Sequence, residues 1–225
     1  MTNPISILST KTLTSEQRKV FIDANIDLLE QDFIEIENIN FELKNINENL
    51  IFSSQNAVLS LMEQTNWEEL KNKNVFCVGI KTKELLEQNG FKVDVYMDYA
   101  SELAEIITLI YKKEIFTFFS GNLRKETLPK ALKDAQINFN EIEVYQTILA
   151  PFKISVEEKF DGILFFSPSG VESYLVDNKI KTETCFCIGE TTASALQKIT
   201  KNIIIAEIPT VDDVIVEVIE YYKNN

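Results

Sequence analysis

The chain carries the same two-part phrase twice, and this internal duplication is the feature that most constrains its fold. NLIFSSQNAVLSLM at Asn49–Met62 returns as GILFFSPSGVESYL at Gly162–Leu175, and NVFCVGIKTKELL at Asn74–Leu86 returns as TCFCIGETTASAL at Thr184–Leu196. Equivalent residues lie 113 residues apart in the first phrase and 110 apart in the second, in a chain of 225. Because a repeat of this length is close to the usual size of a domain, it predicts two domains.

Each phrase is an apolar run that breaks into hydroxyl residues and restarts with the spacing of a helix. The rhythm continues outside the repeat, with strand-like runs at Lys92–Met97 and Ile115–Phe119 and helix-like spacing at Ser101–Tyr111. Short apolar strands that alternate with helices favour parallel sheets covered by helices on both faces. The predicted fold class is α/β, with two doubly wound, flavodoxin-like or Rossmann-like parallel-sheet domains.

The amino-terminal segment predicts one further β-α unit. Pro4–Leu8 is a short strand candidate, and Thr14 to Gln17 has the capping-box pattern ahead of an apolar stripe at Phe21, Ala24 and Leu28. If this unit joins the carboxyl-terminal half, both domains have comparable numbers of strands, and the first domain is discontinuous.

Two segments that bracket one repeat alternate apolar and polar residues, at Phe33–Leu43 and Glu141–Leu149. This alternation is typical of exposed strands, and the two could pair as a connector between the domains. The predicted boundaries are 1–35 with 152–225 for the first domain, 44–142 for the second, and 36–43 and 143–151 for the connector strands.

Composition excludes several classes of chemistry. The chain has no histidine, which removes Ser-His-Asp and Cys-His catalysis and the commonest metal ligand. A net charge of −13 argues against binding nucleic acid through a basic surface. Cys77, Cys185 and Cys187 lie inside strand-like runs, which predicts buried reduced thiols and no redox or metal role.

The sequence also lacks the patterns of membrane spans, signal peptides and nucleotide-binding loops. No run approaches the roughly 20 apolar residues of a membrane span, and the first residues do not look like a signal peptide. The glycine-rich fingerprints of dinucleotide and nucleoside triphosphate sites are missing. We therefore expect a cytoplasmic protein, most simply a monomer, with neither a metal nor an organic cofactor and no contact with membranes or nucleic acid.

Polar loops follow the predicted strands, at the edge of each sheet where α/β proteins bind ligands. Each loop leads into a helix, so its backbone N–H groups and hydroxyls could bind an anion. Ser and Thr are also the ordinary N-cap residues, and capping alone explains any single one. The loops are Ser53–Asn56, Gly79–Thr82, Ser120–Arg124, Ser167–Gly170, Gly189–Thr192 and Pro209–Thr210.

Two side chains near these loops allow a chemical and a structural interpretation. Arg124 could pair with a ligand carboxylate, or it could be a solvated loop cation. Tyr145 could deliver a proton, since a phenol is one of the few such groups in a chain without histidine, or it could pack in the core.

At these residues the sequence resembles the uroporphyrinogen-III synthase family. FFSPSGVESYL is similar to the family's strand–SPS–helix segment, CIGETTASAL to its IGxTTAxAL segment, SGNLRKETLP to its GxxRxxxLP loop and EVYQT to its VYxT connector. The four motifs occur in the family's order over nearly the whole chain. The resemblance implies two α/β domains joined by a two-stranded ladder, with the first domain split between the chain ends.

The resemblance also implies a reaction and a set of site residues. The reaction is the cyclisation of hydroxymethylbilane, a linear tetrapyrrole polycarboxylate, to uroporphyrinogen III with inversion of ring D and loss of water. Tyr145 is the expected proton donor for the departing hydroxyl. The expected substrate-binding residues are Ser54, Thr82, Ser120, Gly121, Arg124, Ser167, Ser169, Gly189, Thr191 and Thr192.

Three qualifications belong with this hypothesis. In the first repeat Ser54 is followed by Gln55 and Asn56 where the family has proline and a basic residue. A non-catalytic sensor module that binds a tetrapyrrole or a small anion would share the bilobed fold. The resemblance also allows a protein partner, the preceding enzyme of the pathway, which this chain would contact transiently.

Overall fold

A computed structural model describes residues 4–224 of the chain, which divides into two compact units. The terminal unit consists of Met1–Glu35 and Ile148–Asn225, and the central unit of Ile36–Thr147. The predicted connector segment 36–43 lies within the central unit. The segment 143–151 is divided, with residues 143–147 in the central unit and 148–151 in the terminal unit.

Strands and helices alternate through both units. The strands are β1 (Ser6–Ser9), β2 (Asp27–Glu30), β3 (Ile34–Asn38), β4 (Asn49–Phe52), β5 (Asn74–Val78), β6 (Val93–Met97), β7 (Phe116–Gly121), β8 (Phe139–Leu149), β9 (Gly162–Phe165), β10 (Thr184–Cys187) and β11 (Ile203–Ile205). The helices are α1 (Ser15–Asp23), α2 (Gln55–Met62), α3 (Ile80–Gln88), α4 (Ala100–Ile110), α5 (Thr127–Asp134), α6 (Pro168–Asp177), α7 (Glu190–Leu196) and α8 (Val211–Asn224), with a 3₁₀ turn at Trp67–Leu70.

Each unit is built on one sheet. The terminal sheet has the order β11-β10-β9-β1-β2, with parallel pairing throughout. The central sheet has the order β3-β8-β7-β4-β5-β6, with parallel pairing from β8 to β6. The predicted α/β class with parallel sheets is confirmed.

The inner strands β9 and β10 of the terminal sheet are buried on both faces, as the apolar runs predicted. Along β10, Cys185 and Cys187 pack into one core cluster and Phe186 into another, because successive side chains of a strand point to opposite faces. All three cysteines of the chain are buried and free. Burial raises the pKa of each thiol to about 12, and the expectation of buried thiols is confirmed.

The first β-α-β segment of the chain, from β1 to β2, differs from the sequence-based prediction in one respect. Thr14 caps α1 with the predicted capping box, and Gln17 supplies its reciprocal contact. The helix nevertheless ends at Asp23, and Asn25 has a positive φ of 55°. Because this left-handed residue stops the helix, Leu28 does not extend the helical stripe but lies in β2 beside β1.

The two alternating segments also differ from the prediction in length and setting. β3 ends at Asn38, well before Leu43. β8 pairs with β7 from Phe139 to Tyr145 and has β3 as its other neighbour. Both segments are therefore strands of the central sheet over at least part of their length.

Candidate active site

A cleft of about 320 Å³ lies in the central unit where the strands of its sheet end. It is bordered by the starts of α2 and α4, by the loop after β7 and by β8. The apolar part of its lining includes Phe118 and Leu128. The polar lining consists of Ser53, Ser54, Asp98, Tyr99, Arg124, Lys125 and Tyr145.

Tyr145 is the most buried polar member of this lining, with 9% of its surface exposed. Its ring lies directly on Gly121, where a Cβ atom would approach the ring carbon Cζ to 2.3 Å. The two residues face each other at a β-bulge, since the register shifts between Ser120 and Gly121 and places two residues of β8 against one of β7. The ring of Tyr145 therefore packs in the core, as the structural interpretation predicts, and the residue also lines the cleft.

The loop after β7 is fixed to the strand that carries Tyr145. The backbone N–H of Asn122 donates to the carbonyl of Tyr145 at 3.3 Å. The Asn122 side chain accepts from the N–H of Thr147 at 2.8 Å and donates to its carbonyl at 3.2 Å. The described residues 4–224 make no hydrogen bond to the Tyr145 hydroxyl, so it is available to a ligand.

Arg124 is neither a solvated cation nor an unpaired one. Its Nε donates to Glu141 Oε1 at 2.5 Å, its Nη2 donates to Glu141 Oε2 at 3.1 Å, and its Nη1 bonds to Glu126. The side chain of Arg124 is 22% exposed. Ser120 Oγ also donates to Glu141 Oε1, at 2.7 Å. Arg124 is thus an ion-paired residue of the loop, and its two carboxylate partners could not be predicted from the sequence.

The charges of this cluster reinforce one another. Burial disfavours the ionised form of Glu141, but hydrogen bonds from Arg124 and Ser120 outweigh it and lower the pKa of this carboxyl below its ordinary value. The hydrogen bond with Glu141 in turn raises the pKa of Arg124. One guanidinium thus faces two carboxylates, and its positive charge is compensated before any ligand arrives.

Ser54 and Thr82 occupy different environments. Ser54 is the N-cap of α2, its Oγ accepts from the N–H of Asn56 at 3.1 Å, and it also lines the cleft. Thr82 lies in the first turn of α3, is 4% exposed and is not part of the lining. Its backbone N–H donates to the carbonyl of Gly79 at 3.0 Å. The structure therefore brings Ser54, Arg124 and Tyr145 together, but not Thr82.

The predicted residues of the terminal unit lie at the starts of α6 and α7, which follow the adjacent strands β9 and β10. Ser167 caps α6, with its Oγ 3.0 Å from both the N–H of Gly170 and Ser169 Oγ. Thr192, 2% exposed, donates its backbone N–H to Gly189 at 3.0 Å, as Thr82 does to Gly79. Thr191 is on the exposed side of α7. These residues form a second hydroxyl-rich edge.

Sequence reasoning missed several polar groups at these edges. Thr10 follows β1, is 3% exposed and donates from Oγ1 to the carbonyl of Leu164 at 2.6 Å. Asp98 and Tyr99 follow β6 and line the cleft. A hydrogen bond to Asp98 is the main cause that raises the pKa of Tyr96 to about 12. Thr10, Asp98 and Tyr99 all follow a predicted strand closely, which was the available signal.

The two sheets, each with polar residues where its strands end, define an α/β protein of two units. The family model described as uroporphyrinogen-III synthase HemD matches residues 20–216. The chain belongs to the uroporphyrinogen-III synthase family, an enzyme family of heme biosynthesis that acts on a tetrapyrrole. The resemblance found in the motifs is confirmed, and the sensor alternative is not favoured.

Solved structures agree with the fold. A uroporphyrinogen-III synthetase from Helicobacter pylori is 21% identical, with a TM-score of 0.74 over 96% of this chain and 99% of that one. A mutant uroporphyrinogen III synthase from Thermus thermophilus is 13% identical, with a TM-score of 0.70 over 98% of this chain and 100% of that one. No helix among the described residues combines the length and apolar character needed to cross a membrane.

Proposed function

We propose that this chain is a cyclising hydro-lyase that converts hydroxymethylbilane to uroporphyrinogen III with inversion of ring D. Family membership supports the reaction. The observation that carries the assignment to a site is the position of Tyr145, nine-tenths buried against Gly121 in a cleft where the strands end.

In this proposal Tyr145 protonates the hydroxyl group of the substrate, which leaves as water. A phenol can donate and accept a hydrogen bond, and this one has no hydrogen-bonding partner within residues 4–224. The bilane cyclises without an enzyme to the other isomer, so the protein mainly has to hold it in the geometry of the productive route. Such orientation is a recognised source of rate and needs no strong base.

The substrate carboxylates need hydrogen-bond donors on a protein with a net charge of −13. We assign this role to the starts of α2 and α4, where Ser53, Ser54 and Ala100 line the cleft and the helix dipoles favour anions. Lys125 contributes a cation to the same lining. The hydroxyls and N–H groups at the starts of α6 and α7 serve substrate groups in the same manner.

The remaining parts of the proposal rest on the family alone. The enzyme works in the cytoplasm without a metal or organic cofactor. It meets the preceding enzyme of the pathway transiently, because hydroxymethylbilane cyclises spontaneously once released.

The deciding experiment incubates hydroxymethylbilane with the protein, oxidises the products and separates the porphyrin isomers. Isomer III is expected from the wild type. Tyr145→Phe should lower the rate of isomer III formation roughly a hundredfold, the effect of losing a general acid. The matched control is Tyr174→Phe, a buried tyrosine of the terminal unit that packs on Phe33 and Phe165.

Isomer I alone, formed at the spontaneous rate by the wild type, would overturn the proposed function. Tight binding of the bilane without turnover would instead favour the sensor alternative. Equal effects of the two tyrosine substitutions would remove Tyr145 from its role as proton donor.

A further inference from the structure

The cluster of Ser120, Arg124 and Glu141 contains a carboxylate to which the reaction assigns no role. Glu141 lies on β8, and its two oxygens accept one hydrogen bond from Ser120 and two from Arg124. Its side chain is 26% exposed, and its pKa lies below the ordinary value of a glutamate. A bidentate pair between a guanidinium and a carboxylate is geometrically specific as well as strong.

This carboxylate joins three parts of the central unit. Ser120 is near the end of β7, Arg124 is in the following loop, and Glu141 is on the strand that carries Tyr145. Leu123, Arg124 and Lys125 of the loop line the cleft. Bonds from Asn122 hold the beginning of this loop, and the backbone N–H of Arg124 donates to the carbonyl of Gly121 at 3.0 Å. The pair between Arg124 and Glu141 adds a side-chain tie from the middle of the loop to β8.

The same carboxylate also controls charge. A guanidinium paired with Glu141 and Glu126 attracts a substrate carboxylate weakly, whereas an unpaired guanidinium in the wall of a cleft would attract it strongly. Because the proposed substrate is a polycarboxylate, an unpaired Arg124 would bind one of its carboxylates in an unproductive position.

We propose that Glu141 is a positioning residue that holds the loop wall of the cleft beside Tyr145 and keeps the Arg124 guanidinium from capturing substrate carboxylates. The inference rests on the proposed cyclase function. It assigns Arg124 a place in the wall of the site in preference to direct recognition of the substrate.

The proposal predicts that kcat and KM change in an unusual combination. Glu141→Ala removes one of the two carboxylates that pair with the guanidinium and leaves Glu126, so KM should fall roughly threefold to fivefold, the effect of one partly exposed ion pair. The loosened wall should lower kcat roughly tenfold and raise the share of isomer I, because the bilane is held less well. Glu141→Gln keeps the shape and an acceptor oxygen without the charge. It should lower KM as much as alanine does, with a smaller loss in kcat.

The matched control is Glu143→Ala, on the same strand two residues further along. Glu143 is exposed and makes no hydrogen bond or ion pair with the described residues 4–224. It should leave kcat, KM and the isomer ratio unchanged. Arg124→Ala should lower kcat without a rise in KM, since the guanidinium does not recognise the substrate directly. Circular dichroism and thermal unfolding identify any variant that fails to fold.

A rise in KM for Glu141→Ala or Arg124→Ala with kcat unchanged would overturn the proposal and make Arg124 a direct substrate contact. Identical kinetics for the alanine variants of Glu141 and Glu143 would also overturn it. Both outcomes are distinguishable from failure of the proposed function, because they require that the wild type forms isomer III. Glu141→Gln has little steric effect, so it tests the effect of charge even if Glu141→Ala does not fold.

Discussion

The central and terminal units begin their duplicated helices with the same residues but surround them differently. In both units a serine caps the helix after one strand, and a glycine with a buried threonine three residues later begins the next helix. In the central unit, Tyr145 and Arg124 line a cleft, and Glu141 pairs with Arg124. The duplication thus preserved the backbone framework, while side chains outside the repeated phrases made the two edges different.

The repeated glycines show that even equivalent positions have diverged. Gly79 has a φ of +86°, which side chains with a Cβ rarely adopt, whereas Gly189 has an extended φ of 175° that any residue adopts. The backbone conformation therefore requires glycine at position 79 but not at position 189.

The largest loss of stability and activity should come from substituting glycines that touch aromatic or apolar side chains. Gly121→Ala places a Cβ 2.3 Å from the Tyr145 ring and should displace it, with a loss of about 1–3 kcal/mol in stability and a hundredfold or greater loss of isomer III formation. Gly162→Ala places a Cβ 2.9 Å from Ile7 and Phe186 of the terminal unit, and should cost similar stability.

Thermal unfolding gives the stability of both glycine variants, and the isomer assay gives their rates of isomer III formation. Activity per folded molecule should fall far more for Gly121→Ala than for Gly162→Ala. An equal fall in both would mean that general destabilisation, and not the Tyr145 ring position, limits activity.

A smaller effect separates the repeated glycines. Gly79→Ala should lower the free energy of unfolding by about 1–2 kcal/mol because its φ is positive. Gly189→Ala should stay within about 0.5 kcal/mol, because its Cβ would meet only Pro209 at an ordinary 3.9 Å. Urea unfolding of both variants tests this, and equal losses would contradict the conformational argument.

The two capping serines should differ in activity more than in stability. Ser54→Ala and Ser167→Ala should each cost about 1 kcal/mol, the usual contribution of an N-cap. Ser54 also lines the cleft, so its loss should raise KM for the bilane. Thermal unfolding and steady-state kinetics suffice to compare them.

The smallest effect concerns acid stability. Because its partners lower the pKa of Glu141, the ionised pair stabilises the fold above the ordinary pKa of 4.5, and this contribution disappears as the pH falls through the lowered value. Glu141→Gln should therefore lower the midpoint of thermal unfolding at pH 7 by about 2 °C. The difference from the wild type should shrink at pH values below 4.5, while Glu143→Gln should show no such dependence.

Much of this framework could be predicted from local sequence. The alternation of short apolar runs and helical spacing indicated parallel sheets, and hydroxyls after a strand indicated the caps at Ser54 and Ser167. These features depend on residues a few positions apart, as the capping box of Thr14 and Gln17 also does. Leu28 was misplaced because a single left-handed residue, Asn25, decided where the helix ended.

The site itself depended on residues far apart in the chain. Arg124 meets Glu141 across 17 residues, and Gly121 meets Tyr145 where a bulge shifts the pairing of β7 and β8. Strand register and bulges are set by packing of the whole sheet, and a one-residue slip would turn these side chains elsewhere. By itself the sequence determined a duplicated α/β fold with hydroxyl-rich edges. Only the tertiary structure decided that the guanidinium is paired and that the phenol faces a cleft, because strand pairing alone brings those groups together.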